Sequence, residues 1–207
     1  MHLSECNIIP GVVLGAMTLW GMAFGHPPTG QIAKNTLAGS AISSSVAFAT
    51  STFAHTLPAL PARIFIPTLE INANIQHVGF TATGAMAAPK GFKDAGWYKY
   101  GMIPGQRGGA VIGGHVDNGL ALPGIFKNLD KIERGADIYI STASSTILHF
   151  VVTNLASYDY KNTPNQEVFA DTQPGSRIRL ITCVGDWIKS EKTYDERLVV
   201  TAELVAD

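Results

Sequence analysis

Residues 177–183 have the sequence Arg-Ile-Arg-Leu-Ile-Thr-Cys, and this stretch indicates the type of fold. Polar and apolar side chains alternate and β-branched residues are frequent, which predicts a strand. The next residues, Val184-Gly185-Asp186, predict a turn. Cys183 is therefore expected at a strand end, where a rigid element presents a side chain to a loop, a common setting for a nucleophile.

The part of the chain from Arg63 onward predicts a mainly β domain. Short runs rich in β-forming residues lie at 63–67, 69–75, 110–115, 136–141, 147–156, 176–183 and 198–205. One short helix is predicted over 125–132, because Phe126, Leu129 and Ile132 lie one turn apart. Many short strands with one short helix favour a β-barrel or β-sandwich.

Charge divides the chain into two parts. The 207 residues have a net charge of −1 and no basic excess, so a nucleic-acid partner is not indicated. Glu5 and Lys34 are the two charged residues that precede Arg63. This shift in composition predicts one domain at 62–207, with an N-terminal extension before it.

The extension has the features of an export or anchoring segment. Residues 8–24 carry no charge and as a helix would span about 25 Å, so they predict a membrane anchor or the apolar part of an export signal. The tail at 1–7 lacks Lys and Arg and does not indicate an orientation. Residues 25–61, rich in Ser, Thr, Ala, Gly and Pro, predict a flexible linker. The domain is expected outside the cytoplasm.

The chain has two cysteines, Cys6 and Cys183. Cys6 precedes the apolar segment and Cys183 is expected on the other side of the membrane, so a disulfide between them is not expected. A cysteine kept in an exported domain is either a reactive thiol or a small buried apolar residue. The isolation of Cys183 leaves both interpretations open.

Cys183, His115 and Arg197 are the candidate catalytic residues. Cysteine attacks as the thiolate, which nearby His and Arg side chains stabilise. A histidine can protonate a leaving amine, and a fixed guanidinium can stabilise an oxyanion. Alternatively, His115 is a core histidine, Arg197 forms a surface pair with Glu196 or Asp195, and Asp117 caps a turn.

Three short motifs together resemble the sortases, the cysteine transpeptidases of bacterial surfaces. Leu180-Ile181-Thr182-Cys183 is similar to their L-x-T-C signature, and Gly114-His115-Val116-Asp117 to their histidine motif. Glu196-Arg197-Leu198-Val199-Val200 is similar to their arginine strand. The order His, Cys, Arg also matches, and the resemblance covers roughly residues 62–205.

The resemblance implies a closed, roughly eight-stranded β-barrel with short helices. It implies a substrate with a C-terminal sorting signal similar to Leu-Pro-x-Thr-Gly, cleaved between Thr and Gly. Cys183 would be the nucleophile, His115 the general acid and base, and Arg197 the group that holds the substrate and oxyanion. The acceptor would be an amine of the cell wall or of another surface protein, such as a pilin-like subunit. The chain would be a single-pass membrane protein with an extracellular catalytic domain, and no metal or organic cofactor is expected.

Two other functions remain open. A cysteine peptidase would transfer the same acyl group to water, and the sequence does not distinguish the two acceptors. A non-catalytic, membrane-tethered β module that binds a wall component would have an inert Cys183 far from His115. An L,D-transpeptidase is disfavoured, because the Ser-x-Gly-Cys pattern is missing around Cys183.

Overall fold

The computed structural model describes residues 59–118, 120–171 and 173–205. The predicted N-terminal tail, the apolar segment and nearly all of the linker lie outside these residues. Within the described part of the chain, no helix has the length and apolar character needed to cross a membrane.

Eight strands close into one barrel, which confirms the predicted mainly β fold. The strands are β1 (Pro61–Ile66), β2 (Ile71–Val78), β3 (Ala95–Tyr98), β4 (Gly108–Gly114), β5 (Asp137–Thr142), β6 (Ile147–Asp159), β7 (Ser176–Ile188) and β8 (Thr193–Leu204). Their order around the barrel is β1-β2-β3-β4-β7-β8-β6-β5, and pairing of β5 with β1 closes it. The β2–β3 and β4–β7 pairs are parallel, and the other pairs are antiparallel.

Alternating apolar side chains fill the barrel. In β5, Ile138 and Ile140 are fully buried, whereas Tyr139 between them is partly exposed, as expected for a strand with one face toward the core. The interior contains branched aliphatic and aromatic side chains from most strands, among them Ile64, Ile66, Ile112, Phe150, Ile178, Leu180 and Val200. Their burial is the main stabilising contribution to the fold.

Strand β4 is covered on both faces, and all seven of its residues are buried. Ala110 and Ile112 belong to the interior of the barrel. Val111 points to the other face, where it packs in a second apolar cluster with Ile181 and Val199. A strand buried on both faces has a nearly continuous apolar sequence, which explains the run at 110–112.

The helix predicted over 125–132 is wrong, since only a 3-10 turn forms there at Leu129–Lys131. The backbone N–H groups of Ile125 and Phe126 donate instead to the carbonyls of Phe92 and His115. These contacts draw the segment toward β4. Among the described residues, one α-helix, α1 (Asn165–Phe169), forms between β6 and β7.

The turn predicted after Cys183 is also wrong. Strand β7 continues to Ile188, so Cys183 lies within it and not at its end. Gly185 takes a φ of +85°, and the register shifts between Val184 and Trp187, after which pairing with β8 resumes. A bulge with glycine in the left-handed region therefore replaces the turn. Arg197 likewise lies inside β8, which begins at Thr193 and not near Arg197 as predicted.

Candidate functional site

Cys183 and Arg197 are directly opposite each other on the antiparallel pair β7–β8. Their side chains therefore project from the same face of the sheet at neighbouring positions. This face is the outer one, because the adjacent pair on it, Ile181 and Val199, belongs to the second apolar cluster and not to the interior of the barrel. The long hairpin of β7 and β8 brings together two residues that are fourteen positions apart.

His115 follows the last residue of β4 and lies level with Cys183. The parallel register of β4 and β7 pairs Gly113 with Ile181, so two residues further along His115 comes abreast of Cys183. The Thr182 hydroxyl donates a hydrogen bond of 2.9 Å to the Gly114 carbonyl and joins the two strands at this level. Cys183 and Arg197 thus lie on one face of the sheet, and His115 lies level with them just past the end of the adjacent strand β4.

A loop between β2 and β3 packs against the histidine. The Pro89 carbonyl accepts a hydrogen bond of 3.0 Å from Nε2 of His115, so this nitrogen carries a hydrogen. Loop residues 86–89 and residues 113–115 line a narrow pocket together with Ile181. The His115 residue is 8% exposed and is positioned by this loop as well as by its own strand.

Among the residues that the structure describes, Arg197 is the largest fully buried side chain, at 1% exposure. One of its terminal nitrogens donates to the carbonyls of Tyr194 and Glu196, both at 2.9 Å. The other donates to the Thr193 hydroxyl at 2.8 Å, and the Tyr160 ring lies 5.5 Å from the guanidinium carbon. These contacts hold both terminal nitrogens of the rigid guanidinium fork, which fixes its orientation.

Burial lowers the pKa of Arg197 to about 10, although the carboxylates of Asp159 and Asp195 act in the opposite direction. The guanidinium therefore stays charged at neutral pH. Its Nε–H is buried and has no hydrogen-bond partner among the described residues. An unsatisfied buried donor is unusual, and here it lies on the residue opposite Cys183.

Cys183 is buried, with 2% of its surface exposed. The expectation that Cys6 and Cys183 form no disulfide stays a prediction, because Cys6 lies outside the described residues. Nucleophilic attack requires the thiolate, so chemistry at Cys183 needs the reduced form.

Sequence analysis did not detect a contact between Asp117 and Tyr194. The Tyr194 hydroxyl donates a hydrogen bond to Oδ2 of Asp117, and Asp117 also forms an isolated antiparallel β-bridge with Pro123. The two residues are 77 positions apart, so no local pattern signals the contact. Asp117 lies two residues after His115, and Tyr194 lies three residues before Arg197. This closeness in sequence was the one available indication of the contact.

In residues 59–118, 120–171 and 173–205, no three or more His, Cys, Asp or Glu side chains form a group that could hold a metal ion.

The barrel and the chain's sequence were compared with known proteins. A family model for the sortase domain matches residues 64–205. Sortase A from Corynebacterium diphtheriae is similar in structure, with a TM-score of 0.54, 24% identity, and coverage of 72% of this chain and 62% of that one. Sortase C-1 from Actinomyces oris has a TM-score of 0.56 at 21% identity, covering 70% of this chain and 72% of that one.

A third structure, the Group B Streptococcus Pilus Island 1 sortase C2, has a TM-score of 0.54 at 20% identity, covering 70% of this chain and 73% of that one. At these identities the structural likeness shows the fold. No curated protein matches the chain in sequence. The family model covers well over half of the chain, and on that basis this protein belongs to the sortase family of cysteine transpeptidases.

Proposed function

We propose that this protein cleaves a sorting signal similar to Leu-Pro-x-Thr-Gly between Thr and Gly and transfers the acyl group to an amine. The observation that carries the proposal is the strand register, which sets Cys183 opposite Arg197 and level with His115. Thioester chemistry needs a nucleophile, a proton donor and an oxyanion-stabilising group in that proximity.

In the proposed first step, the Cys183 thiolate attacks the carbonyl carbon of the scissile Thr–Gly bond. A carbon–sulfur bond forms and the carbonyl oxygen becomes an oxyanion. The charged Arg197 guanidinium stabilises this oxyanion, and its unpartnered Nε–H is a suitable donor. His115 then protonates the leaving amine of Gly, the carbon–nitrogen bond breaks, and a thioester remains.

In the second step, an acceptor amine attacks the thioester carbon. The amine passes a proton to the now neutral His115, the new amide bond forms and the Cys183 thiolate leaves. Water in place of the amine would give the peptidase reaction. A wall amine or a pilin-like subunit is the proposed acceptor, and residues 8–24 are the proposed membrane anchor that keeps the enzyme at the cell surface.

The second apolar cluster lies beside the proposed site, and its core members are buried. Ile181 and Val199 form the pair next to Cys183 and Arg197 on the same face of β7 and β8. Val111 and Met86 belong to the same cluster.

The test uses the 207-residue chain in mild detergent with a reducing agent, incubated with Leu-Pro-x-Thr-Gly peptides and triglycine. Mass spectrometry should detect peptide cleaved after Thr and joined to triglycine. Cys183→Ala should abolish the product, and His115→Ala and Arg197→Ala should each lower kcat/KM by about 100-fold or more.

Matched controls come from the same residue types. Cys6→Ala, His149→Ala and Arg134→Ala should leave kcat/KM within about twofold of the wild-type value, since none of them belongs to the proposed site. His149 pairs with Asp137, and Arg134 with Asn154. Cleavage without joining would favour the peptidase, and transfer by Cys183→Ala would refute the mechanism.

A further inference from the structure

We infer that Tyr194 and Asp117 act as a positioning pair, which holds His115 in its place relative to Cys183 and Arg197. Neither residue is assigned a role in the chemistry proposed above. The inference rests on that proposed function, because the transfer reaction is one of its two readouts.

The first part of the argument is a hydrogen bond between two segments of the site. Tyr194 lies in β8, three residues before Arg197, and Asp117 lies two residues after His115. The Tyr194 hydroxyl donates to Oδ2 of Asp117, whose residue is 8% exposed. Because this buried carboxylate accepts from Tyr194, breaking the bond would leave it without that donor.

The second part is that Tyr194 also contacts the arginine. Its backbone carbonyl accepts from a terminal nitrogen of Arg197 at 2.9 Å. One residue therefore connects the histidine segment through its side chain and the guanidinium through its backbone. A shift of Tyr194 would alter the relative positions of both groups.

The third part is the position of His115 beyond the strand ladder. The residue pairs of β4 with β7 end at Gly113, so His115 lies past the part of the strand that pairing holds. Its backbone carbonyl accepts from Phe126, and the Val116 carbonyl accepts from Gly124. These bonds join the histidine segment to its own loop, whereas the Tyr194–Asp117 bond joins it to the arginine strand.

The tyrosine hydroxyl can be removed without emptying its site. The Tyr194 ring packs edge-on against Trp187 at 5.2 Å between centroids, and a phenylalanine ring in its place would retain this contact. Tyr194→Phe therefore removes the hydrogen bond but keeps the apolar packing. Asp117→Asn keeps an amide oxygen that can accept from Tyr194, whereas Asp117→Ala does not.

The experiment measures kcat and KM for peptide transfer to triglycine, with each preparation normalised by titration of reactive Cys183 thiol. We expect Tyr194→Phe and Asp117→Ala to lower kcat by about tenfold while KM stays within about twofold, because misplacement of a reacting group acts on the chemical step. Asp117→Asn should recover much of that loss. Tyr139→Phe in β5, which is separated from β8 by β6 in the barrel order, is the matched control.

The double variant Tyr194→Phe/Asp117→Ala separates a pair from two independent residues. If the two act through one bond, its kcat should equal that of Asp117→Ala alone. Three results would each overturn the inference. The losses of kcat in the single variants could multiply in the double variant, or both single variants could keep kcat within about twofold of wild type. The losses could also disappear when kcat is normalised to titrated thiol.

A second readout does not depend on the reaction. The imidazole NMR signals of His115, assigned by comparison with His115→Ala, should shift or broaden in Tyr194→Phe and stay unchanged in Tyr139→Phe. A wild-type protein that transfers no peptide but shows this pattern would contradict the proposed function and leave the positioning pair intact. Unchanged His115 signals in Tyr194→Phe would overturn the pair.

Discussion

Two adjacent glycines before His115 have different roles. A Cβ at Gly114 would lie 2.4 Å from Cδ2 of Phe126 and 2.8 Å from Cγ2 of Ile125. Phe126 is 1% exposed, so it has little room to move. At Gly113 the nearest atom to a Cβ is the flexible end of Met86, at 3.4 Å. The close approach that requires glycine is therefore at Gly114.

Gly114→Ala should destabilise the protein by about 1–3 kcal/mol, because the added methyl group forces Phe126 and Ile125 to shift. Gly113→Ala should cost less than about 1 kcal/mol, since its methyl group makes an ordinary contact. Urea unfolding followed by tryptophan fluorescence measures both free energies of unfolding. Equal losses in the free energy of unfolding of Gly114→Ala and Gly113→Ala would contradict the assignment of the close approach to Gly114.

At the scale of elements, an ion-pair cluster attaches the connection around α1 to β7. Asp171 accepts from Arg179 at 2.8 Å and from Arg177 at 3.2 Å, and from the backbone N–H of Gln173 at 2.9 Å. The Asp171 side chain is 2% exposed. Arg179 lies across Gly109, where a Cβ would come within 2.0 Å of the guanidinium. The cluster thus holds the segment that follows α1 against the beginning of β4.

Asp171→Ala should lower the free energy of unfolding by about 3–5 kcal/mol at pH 7, because it leaves two largely buried arginines without their carboxylate. Glu203→Ala, which removes an exposed partner of Arg177, should cost less than about 1 kcal/mol. Denaturant unfolding of the two variants and wild type makes the comparison. Comparable losses in the free energy of unfolding of Asp171→Ala and Glu203→Ala would show that burial of Asp171 with its arginines is not the cause.

The same carboxylate predicts a dependence on pH. Burial by itself would raise the pKa of Asp171. The Gln173 N–H and the two arginines lower it by a larger amount, so the pKa of Asp171 is below its ordinary value. A depressed carboxyl pKa adds stability above the unfolded-state pKa, and this stability is lost as pH falls through the folded-state pKa. The difference between wild type and Asp171→Ala should therefore be constant from about pH 5 to 8 and shrink below about pH 4.

For the molecule as a whole, closure of the barrel depends on β1. This strand pairs with β2 on one side and with β5 on the other. Its Ile64 and Ile66 side chains are fully buried in the barrel interior. Loss of β1 would open two strand edges and remove part of the core.

A chain that begins at residue 57 should unfold cooperatively, with a Tm close to that of the 207-residue chain under reducing conditions. A chain that begins at residue 67 lacks β1 and should be unfolded or aggregated. Circular dichroism and size-exclusion chromatography of both chains give the answer. Cooperative unfolding of the shorter chain would show that the remaining seven strands are sufficient.

The sequence by itself determined the mainly β fold class, and it predicted the start of the domain near residue 62 and the three candidate site residues. These depend on local information: alternation of apolar residues, turn residues, and short motifs in a fixed order. Local signals failed where distant pairing overrode them. The glycine after Cys183 predicted a turn, but β8 pairs with the residues beyond it and extends β7 through a bulge.

Only the tertiary structure decided which residues meet. The registers of β4 with β7 and of β7 with β8 set His115, Cys183 and Arg197 side by side, and they bring Tyr194 to Asp117. Register depends on backbone hydrogen bonds between segments far apart in the chain, together with the packing of both faces. An alternating pattern specifies which face a residue occupies, but it contains no information about the residue opposite to it on the next strand.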